Sequence, residues 1–289
     1  MNKQSERRAA GIDTLRTLGA ESFDPGRAAG AMEKHHGVLG SFGVDHILGQ
    51  LWNRPTLNRR DRSLIVVAFL AASGASGEEL RFHARGAVNH GLSRAQVEEI
   101  VLQVAAYAGF PSAMAASRSV AGAWREEDGD TDTTTADTPR AVAARLDDAA
   151  RQAAAHEVRH TMWSGRNNPD VGADRDALVD FLGGVGELAF DFAFGEVWSR
   201  DVLTRRDRSL VTVAILGILK CTDELLIHVR AALNHGCTRA EIEEIMVQLS
   251  GYGGFPRAVE GLRAAREVFA RVDARKHDAE IKAQAACEQ

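Results

Sequence analysis

The sequence predicts an all-α protein that consists of two tandem copies of one small helical bundle. Three observations predict this fold class: a long internal repeat, apolar residues at helical spacing within each copy, and the same helix-capping signals in both copies. The chain has 289 residues, of which 45% are apolar and 26% are charged. This composition is typical of a globular protein, and the length is sufficient for two domains with a core in each.

The repeat is visible as strings that recur in the same order at a nearly constant offset. The matching pairs are Arg59-Arg-Asp-Arg-Ser-Leu64 with Arg205-Arg-Asp-Arg-Ser-Leu210, His83-Ala-Arg-Gly-Ala-Val-Asn-His-Gly91 with His228-Val-Arg-Ala-Ala-Leu-Asn-His-Gly236, and Tyr107-Ala-Gly-Phe-Pro111 with Tyr252-Gly-Gly-Phe-Pro256. A single one-residue deletion separates the first pair from the other two. Matches of this length and order indicate a duplication.

The repeat also sets the expected domain boundaries. We expect the first copy at residues 1–124 and the second copy at residues 140–272. Residues 125–139 are rich in acidic residues and threonine and contain no large apolar side chain, so they cannot bury enough surface to offset the entropy lost on ordering. They are therefore predicted to be a linker, and residues 273–289 a charged tail.

Each copy is predicted to be helical almost throughout. The segments Asp61–Ala72 and Asp207–Leu219 are rich in Leu, Val, Ile and Ala, and their length favours buried helices over buried strands. A second helix is expected over Glu78–His90, where a glycine follows at the position of a left-handed cap. Ser93 and Thr238 each begin a capping box, which predicts that a further helix begins there. The same pattern in both copies predicts two equivalent bundles.

Composition excludes several classes of partner and location. The formal charge of −5, with arginine scattered among acidic residues, gives no general attraction to nucleic acid. The longest apolar runs are too short to span a membrane and the N-terminal residues lack the apolar region of a signal peptide, so a cytoplasmic protein is expected. The three cysteines do not have the spacing of a metal-binding motif. The first copy also has three histidines, His35, His36 and His46, but the adjacent His35 and His36 cannot share one helical face, so no metal site is predicted from them.

The repeated motifs are similar to those of the carboxymuconolactone decarboxylase family. They are Trp-x-Arg-x-x-Leu-x-Arg-Arg-Asp-Arg-Ser-Leu and Glu-Leu-x-x-His-x-Arg-x-Ala-x-Asn-x-Gly, and both occur twice. The resemblance implies the alkylhydroperoxidase D-like all-α fold, whose small subunits usually assemble as trimers or hexamers. A tandem chain would then form an internal pseudo-dimer. The expected assembly is a homo-oligomer in which three chains imitate a hexamer of single-copy subunits.

The resemblance also separates two kinds of chemistry within this fold. Peroxidase-type members carry Cys-x-x-Cys-x-x-x-His, whereas decarboxylase-type members have Glu four residues before His. The corresponding positions here are Ser76, Glu79 and His83 in the first copy, and Cys221, Glu224 and His228 in the second. A cycle of two thiols cannot run within either motif, because the second cysteine is replaced by glutamate in both copies.

The catalytic residues predicted from this motif are Glu79, His83, Glu224 and His228. On a helix, residues four apart share a face, so each glutamate would lie beside its histidine, raise its pKa and provide a proton donor near neutral pH. Loss of carbon dioxide from a carboxylated lactone needs an acid to protonate carbon, and the lactone carbonyl itself can accept the electrons. No cofactor is therefore expected.

Further residues are candidates for binding a small-molecule substrate. These are Trp52, Arg54, Trp198, Arg200, Tyr107, Tyr252, His90, His235 and Cys221. The structural alternative for the Trp-x-Arg pairs is packing with a surface arginine, and for the two tyrosines it is a helix end against the core. His90 and His235 precede a helix-ending glycine, where a cationic imidazole would complement the helix dipole. Arg85 and Arg230, two residues after the key histidines, point to another helix face and are expected at an interface or in an ion pair.

The lead hypothesis is a cofactor-independent decarboxylase that acts on a small carboxylated lactone or on a carboxylated aromatic or polyketide-derived ring. One alternative is a dehydratase, isomerase or ring-rearranging enzyme on the same framework. A second is a peroxidase or disulfide reductase that uses Cys221 with Cys237, and a third is a binding protein without catalysis. The sequence leaves open which copy works and whether Cys221 has a role.

Overall fold

The computed structural model describes residues 3–19, 23–75, 77–128 and 146–287, and within these ranges it contains helices and no strand. The predicted all-α class is therefore confirmed. Most of the predicted linker, from residue 129 to residue 139, lies outside the described residues. None of the helices in the described ranges combines the length and the apolar character that crossing a membrane requires.

The two copies contain the same elements in the same order. The first copy comprises α1 (Lys3–Leu18), α2 (Pro25–His36), α3 (Val38–Phe42), the π-helix π1 (Gly43–Leu51), α4 (Arg59–Ser73), α5 (Glu78–Asn89), α6 (Arg94–Tyr107) and α7 (Phe110–Glu127). The second copy comprises α8 (Asp148–Trp163), α9 (Val171–Leu182), α10 (Gly184–Leu188), the π-helix π2 (Ala189–Trp198), α11 (Arg205–Leu219), α12 (Thr222–Asn234), α13 (Arg239–Tyr252) and α14 (Phe255–Cys287). The last helix, α14, continues well into the predicted tail.

The predicted helix starts are formed by the side chains that the sequence indicated. Ser93 accepts a hydrogen bond from the Gln96 backbone while the Gln96 side chain accepts one from the Ser93 backbone, and Thr238 and Glu241 form the same capping box. Each box satisfies two N–H groups that the helix itself leaves without partners. These caps fix where α6 and α13 begin in the two copies.

Each π-helix leads directly to a tryptophan and packs closely on the first helix of its copy. A β-carbon at Gly49 would lie 2.0 Å from the Arg7 carbonyl oxygen, and one at Gly195 would lie 2.6 Å from Cγ of Arg151. Only glycine allows this approach of π1 to α1 and of π2 to α8. The close packing sets the position of Trp52, which follows π1, and of Trp198, which ends π2.

The centre of the molecule is the contact between α4 and α11, the two apolar helices predicted to be buried. Nearly every side chain from Leu64 to Ala72 and from Leu210 to Ile218 is excluded from solvent. These side chains belong to one continuous core that includes residues of both copies. The copies therefore form the internal pseudo-dimer that was expected, and they share a core across its pseudo-twofold contact.

Two fully buried arginines join the copies beside this core. Arg62 Nη2 lies 2.8 Å from Glu244 Oε1, and Arg208 Nη2 lies 2.6 Å from Glu99 Oε1, so each ion pair connects one copy to the other. Both arginines are 0% exposed. A buried charge without a partner is very costly, so these pairs fix the register of the two copies.

A second layer of ion pairs surrounds the first. Arg60 Nη2 lies 2.8 Å from Asp207 Oδ2, and Arg206 Nη2 lies 2.8 Å from Asp61 Oδ2. Both pairs again connect one copy to the other. The Arg-Arg-Asp-Arg strings of the two copies are thus paired with each other.

The two copies differ in one buried hydrogen bond, and this difference leads to a stability prediction. Gln103 Nε2 donates to Thr212 Oγ1 at 2.5 Å. Its counterpart, Gln248 Nε2, is buried without a partner among the described residues, and Val66 occupies the place of Thr212. Val66→Thr is expected to raise the free energy of unfolding by about 1 kcal/mol, because it supplies the missing acceptor. Urea unfolding would measure this change. Thr212→Val is the matched control and should lower the free energy of unfolding, and a destabilising Val66→Thr would contradict the assignment.

Candidate active site

His83 lies in an aromatic enclosure that both copies build. Its imidazole stacks on Trp52 of the same copy, with ring centroids 5.8 Å apart and an angle of 18° between the planes. Tyr252 of the second copy meets the imidazole edge-on at 5.8 Å. Trp52 Nε1 donates a hydrogen bond of 2.8 Å to Tyr252 Oη, which fixes both rings around the histidine. The enclosure is therefore complete only when the two copies are packed together.

His228 has the equivalent enclosure in the second copy. It stacks on Trp198 at 6.0 Å with an interplanar angle of 19°, and Tyr107 of the first copy meets it edge-on at 5.2 Å. Trp198 Nε1 donates a hydrogen bond of 2.6 Å to Tyr107 Oη, and this phenol oxygen lies 3.4 Å from His228 Nε2. The two sites are thus related by the repeat, with the tyrosines exchanged between the copies.

A second histidine of the same copy lies next to each tryptophan. The ring of His90 is 5.9 Å from Trp52 and the ring of His235 is 5.8 Å from Trp198. Their Nδ1 atoms lie 2.7 Å from Ser63 Oγ and 2.8 Å from Ser209 Oγ. These serine contacts were not predicted, although both serines belong to the repeated Arg-Asp-Arg-Ser-Leu string.

All four imidazoles are neutral near pH 7, which corrects two expectations. Burial, with a smaller contribution from the neighbouring His90, lowers the pKa of His83 to about 4, and burial together with His235 lowers the pKa of His228 to about 3. The expected rise caused by a neighbouring glutamate is therefore wrong. Burial also lowers the pKa of His90 and of His235 to about 4, so neither is a cationic helix cap.

The predicted Glu–His pairs share a helix but are not joined by a hydrogen bond in the described structure. Glu79 and Glu224 are exposed in the first turns of α5 and α12, where their charges complement the helix dipole. Nδ1 of His83 and Nδ1 of His228 are buried and have no hydrogen-bond partner among the described residues. A buried imidazole nitrogen without a partner is an atom that is left free for a ligand.

Arg54 and Arg200, which were candidates for substrate binding, are engaged in the contact between the copies. Arg54 Nε lies 2.8 Å from Glu244 Oε1, and Arg200 Nε lies 2.9 Å from both carboxylate oxygens of Glu99. These glutamates are the ones that neutralise the two buried arginines. The structure thus places both arginines in an ion-pair network and brings Trp52, Trp198, Tyr107 and Tyr252 to the histidines.

Cys221 and Cys237 lie in environments that disfavour a thiolate. Cys221 precedes α12, and burial together with the charge of Glu224 raises its pKa. Burial raises the pKa of Cys237 to about 12. Both are free thiols, and the equivalent position in the first copy, Ser76, lies outside the described residues. Since the thiolate is the reactive form, these shifts argue against the thiol-based alternative.

No metal-binding arrangement of three or more His, Cys, Asp or Glu side chains occurs in the part of the chain that the structure describes. His46, one of the three histidines considered for a metal, instead has its Nδ1 3.2 Å from Gln50 Oε1.

The lowered pKa values predict a loss of stability in mild acid. Because an unfolded histidine binds a proton near pH 6.5 and these folded ones do so only near pH 3 to 4, the unfolded chain takes up more protons as the pH falls below 6.5. The expected loss is about 1 to 2 kcal/mol for each buried histidine between pH 7 and pH 5. Urea unfolding of wild type and of His228→Gln at both pH values would measure it. His228→Gln should lose less than wild type, the exposed control His277→Gln should lose as much, and equal losses in all three proteins would contradict the prediction.

Comparison with known proteins places the two copies in one family. The model of the carboxymuconolactone decarboxylase family matches residues 43–121 and 184–267, which together exceed half of the chain. The 4-carboxymuconolactone decarboxylase of Acinetobacter baylyi is 41% identical over 99 residues, which cover 34% of this chain and 74% of that protein. The nitrosuccinic acid decarboxylase of Metarhizium robertsii is 38% identical over 76 residues, which cover 26% of this chain and about half of that protein, 53%. Both enclosures lie within the two matched regions.

Proposed function

Because the chain belongs to the carboxymuconolactone decarboxylase family, we propose that it removes carbon dioxide from a small carboxylated lactone or a related carboxylated ring. Two relatives that it resembles are named as decarboxylases, which supports a carbon–carbon lyase. The observation that carries the proposal to this site is the pair of aromatic enclosures, each with a neutral imidazole whose buried Nδ1 has no partner among the described residues.

The chemistry of decarboxylation fits such an enclosure. When the carboxylate leaves as carbon dioxide, its electron pair remains on the substrate, where a lactone carbonyl accepts it as an enolate-like charge. An apolar enclosure favours this step because the charge is more dispersed after bond cleavage than in the starting carboxylate. A proton must then be delivered to carbon, and a positioned histidine is the usual donor.

The contacts of His228 suggest which nitrogen supplies the proton. Tyr107 Oη accepts a hydrogen bond from Trp198 and lies 3.4 Å from His228 Nε2, so the phenol engages this nitrogen of the imidazole. Nδ1, which has no partner among the described residues, then faces the substrate. In this scheme the bound substrate carboxylate favours uptake of a proton from solvent at Nδ1, by way of Glu224, one helical turn before His228, or of Glu79, one turn before His83. The imidazolium gives this proton to the substrate carbon as carbon dioxide leaves, and the imidazole returns to its neutral form.

The role of the tyrosines and tryptophans in this proposal is positional. Each tryptophan holds one face of its imidazole, and the tyrosine of the other copy holds an edge. Burial raises the pKa of both phenols far above the neutral range, so they remain protonated and can only donate or accept hydrogen bonds.

The proposed reaction is tested by measuring carbon dioxide release from 4-carboxymuconolactone, with nitrosuccinic acid as a second substrate. We expect release from the lactone, and a turnover that does not change when Cys221→Ser replaces the thiol. Failure to release carbon dioxide from either compound by a folded protein would contradict the proposal. A loss of activity in Cys221→Ser alone would favour the thiol-based alternative.

We also propose that the chain forms a homo-oligomer through apolar faces that both copies expose. The exposed pairs at equivalent positions are Leu39 with Val185, Phe42 with Leu188, Phe110 with Phe255, and Met114 with Val259. Large apolar side chains that are exposed at the same positions in two copies are typical of a repeated contact surface. Light scattering after gel filtration would give the mass, and a monomer at micromolar concentration would contradict this proposal.

A further inference from the structure

A groove outside the two aromatic enclosures lies on the second copy, between α8, α12 and α14. Its volume is about 180 Å³, and His228 does not line it. Trp163, Leu226, Ile227 and Val268 form its apolar walls, and three arginines, Arg230, Arg271 and Arg275, bring positive charge to them. An apolar surface next to unneutralised cations is a combination that suits an amphipathic anion.

Two of the three arginines of this groove, Arg230 and Arg275, have no carboxylate partner among the described residues, whereas Arg271 is paired with Glu267. Nε of Arg230 is buried and makes no hydrogen bond with the described residues. Burial and the like charges of Arg166 and Arg275 lower the pKa of Arg230, so the surrounding groups disfavour its positive charge. An anion in the groove would relieve this repulsion and supply the missing acceptor.

The first copy does not reproduce this charge. At the equivalent positions of its sequence, Glu126 replaces Arg271 and Asp130 replaces Arg275, so the cationic wall is particular to the second copy. The residues that α8 and α14 contribute to the groove also lie outside the region matched by the family model, which ends at residue 267. The groove is therefore a feature that distinguishes this chain from a simple pair of family domains.

The volume of the groove limits the size of the ligand that it can bind. A dry cavity of about 150 Å³ in another protein accommodates a benzene ring, and this groove is slightly larger. We propose that the groove binds a ring-sized organic carboxylate, with the ring against Trp163 and Ile227 and the carboxylate on Arg230 and Arg275. The site is separate from the proposed catalytic centres and requires no turnover.

Benzoate is a suitable probe, and titration calorimetry with the full-length protein is a direct test. We expect saturable binding of benzoate and at least about tenfold weaker binding of benzyl alcohol, which has the ring but not the charge. Arg230→Met should weaken benzoate binding about tenfold or more. The control is Arg266→Met. Arg266 lies in α14, the helix that contributes Arg275 to the groove, but it is paired with Glu243 and does not line the groove, so its replacement should change the affinity less than about twofold.

Two further variants separate this groove from the aromatic enclosures. The double variant Arg271→Glu/Arg275→Asp gives the second copy the acidic residues of the first and should abolish benzoate binding, whereas His228→Ala should leave it unchanged. Circular dichroism would verify that each variant is folded. Benzoate binding that survives both Arg230→Met and the double variant, or that is lost in His228→Ala, would overturn the proposal. Because binding is the readout, this result does not depend on whether carbon dioxide is released.

Discussion

Replacement of both His83 and His228 by alanine is expected to lower the rate of carbon dioxide release by about 10²- to 10⁴-fold. This is the range over which a positioned proton donor contributes to catalysis, and these are the imidazoles that the tryptophans and tyrosines enclose. The rate constant for the chemical step, measured under single-turnover conditions, is the quantity to compare. The single variants would show how the activity is divided between the two copies.

The matched control for this experiment is the replacement of exposed histidines. His46→Ala and His277→Ala remove imidazoles that lie at the surface, and both should retain wild-type turnover. If the double variant of His83 and His228 remained fully active, the candidate site would be wrong, and a binding protein or another site would become the better interpretation.

The second large effect is expected at the contact between the copies. Glu244→Gln removes the charge that neutralises Arg62, which is 0% exposed, and it should lower the free energy of unfolding by about 3 to 5 kcal/mol. Burial alone would raise the pKa of Glu244, but Arg54 and Arg62 hold it below its usual value, which shows how strongly the ionised form is favoured. Urea or thermal unfolding would measure the loss.

An exposed ion pair provides the comparison for this change. Arg239 and Asp273 are paired at the surface, and Asp273→Asn should cost less than about 1 kcal/mol. Glu99→Gln in the first copy should behave like Glu244→Gln, because Glu99 neutralises the equally buried Arg208. Equal, small effects in all three variants would contradict the role assigned to the buried pairs.

The sequence was sufficient to predict the fold because its signals are local and are repeated. The capping boxes at Ser93 and Thr238 and the apolar helices α4 and α11 depend on residues close in the chain, and each occurs twice. The π-helices were not predicted, and the close packing of Gly49 and Gly195 within them involves helices that are distant in the sequence. Gly49 and Gly195 occupy equivalent positions of the repeat, and this recurrence is the sequence signal that could have indicated the close helix packing.

The candidate site was predicted only in part, because its composition depends on how the copies meet. The motif identified His83 and His228 but not their neutral state, since burial of an imidazole is a property of the packed molecule. It also gave no indication that Tyr107 and Tyr252 are exchanged between the copies. Glu99 and Glu244 recur in the repeat, yet only the structure shows that they neutralise buried arginines.

The central claim is that each catalytic centre combines a histidine of one copy with a tyrosine of the other, and a comparison of double variants tests it most directly. In His83→Ala, only the centre of His228 remains, so a further Tyr107→Phe should lower the remaining rate about tenfold whereas Tyr252→Phe should not. In His228→Ala, the dependence on the two tyrosines should be reversed. If the tyrosine of the same copy as the remaining histidine were the one that mattered, centres shared between the copies would be contradicted.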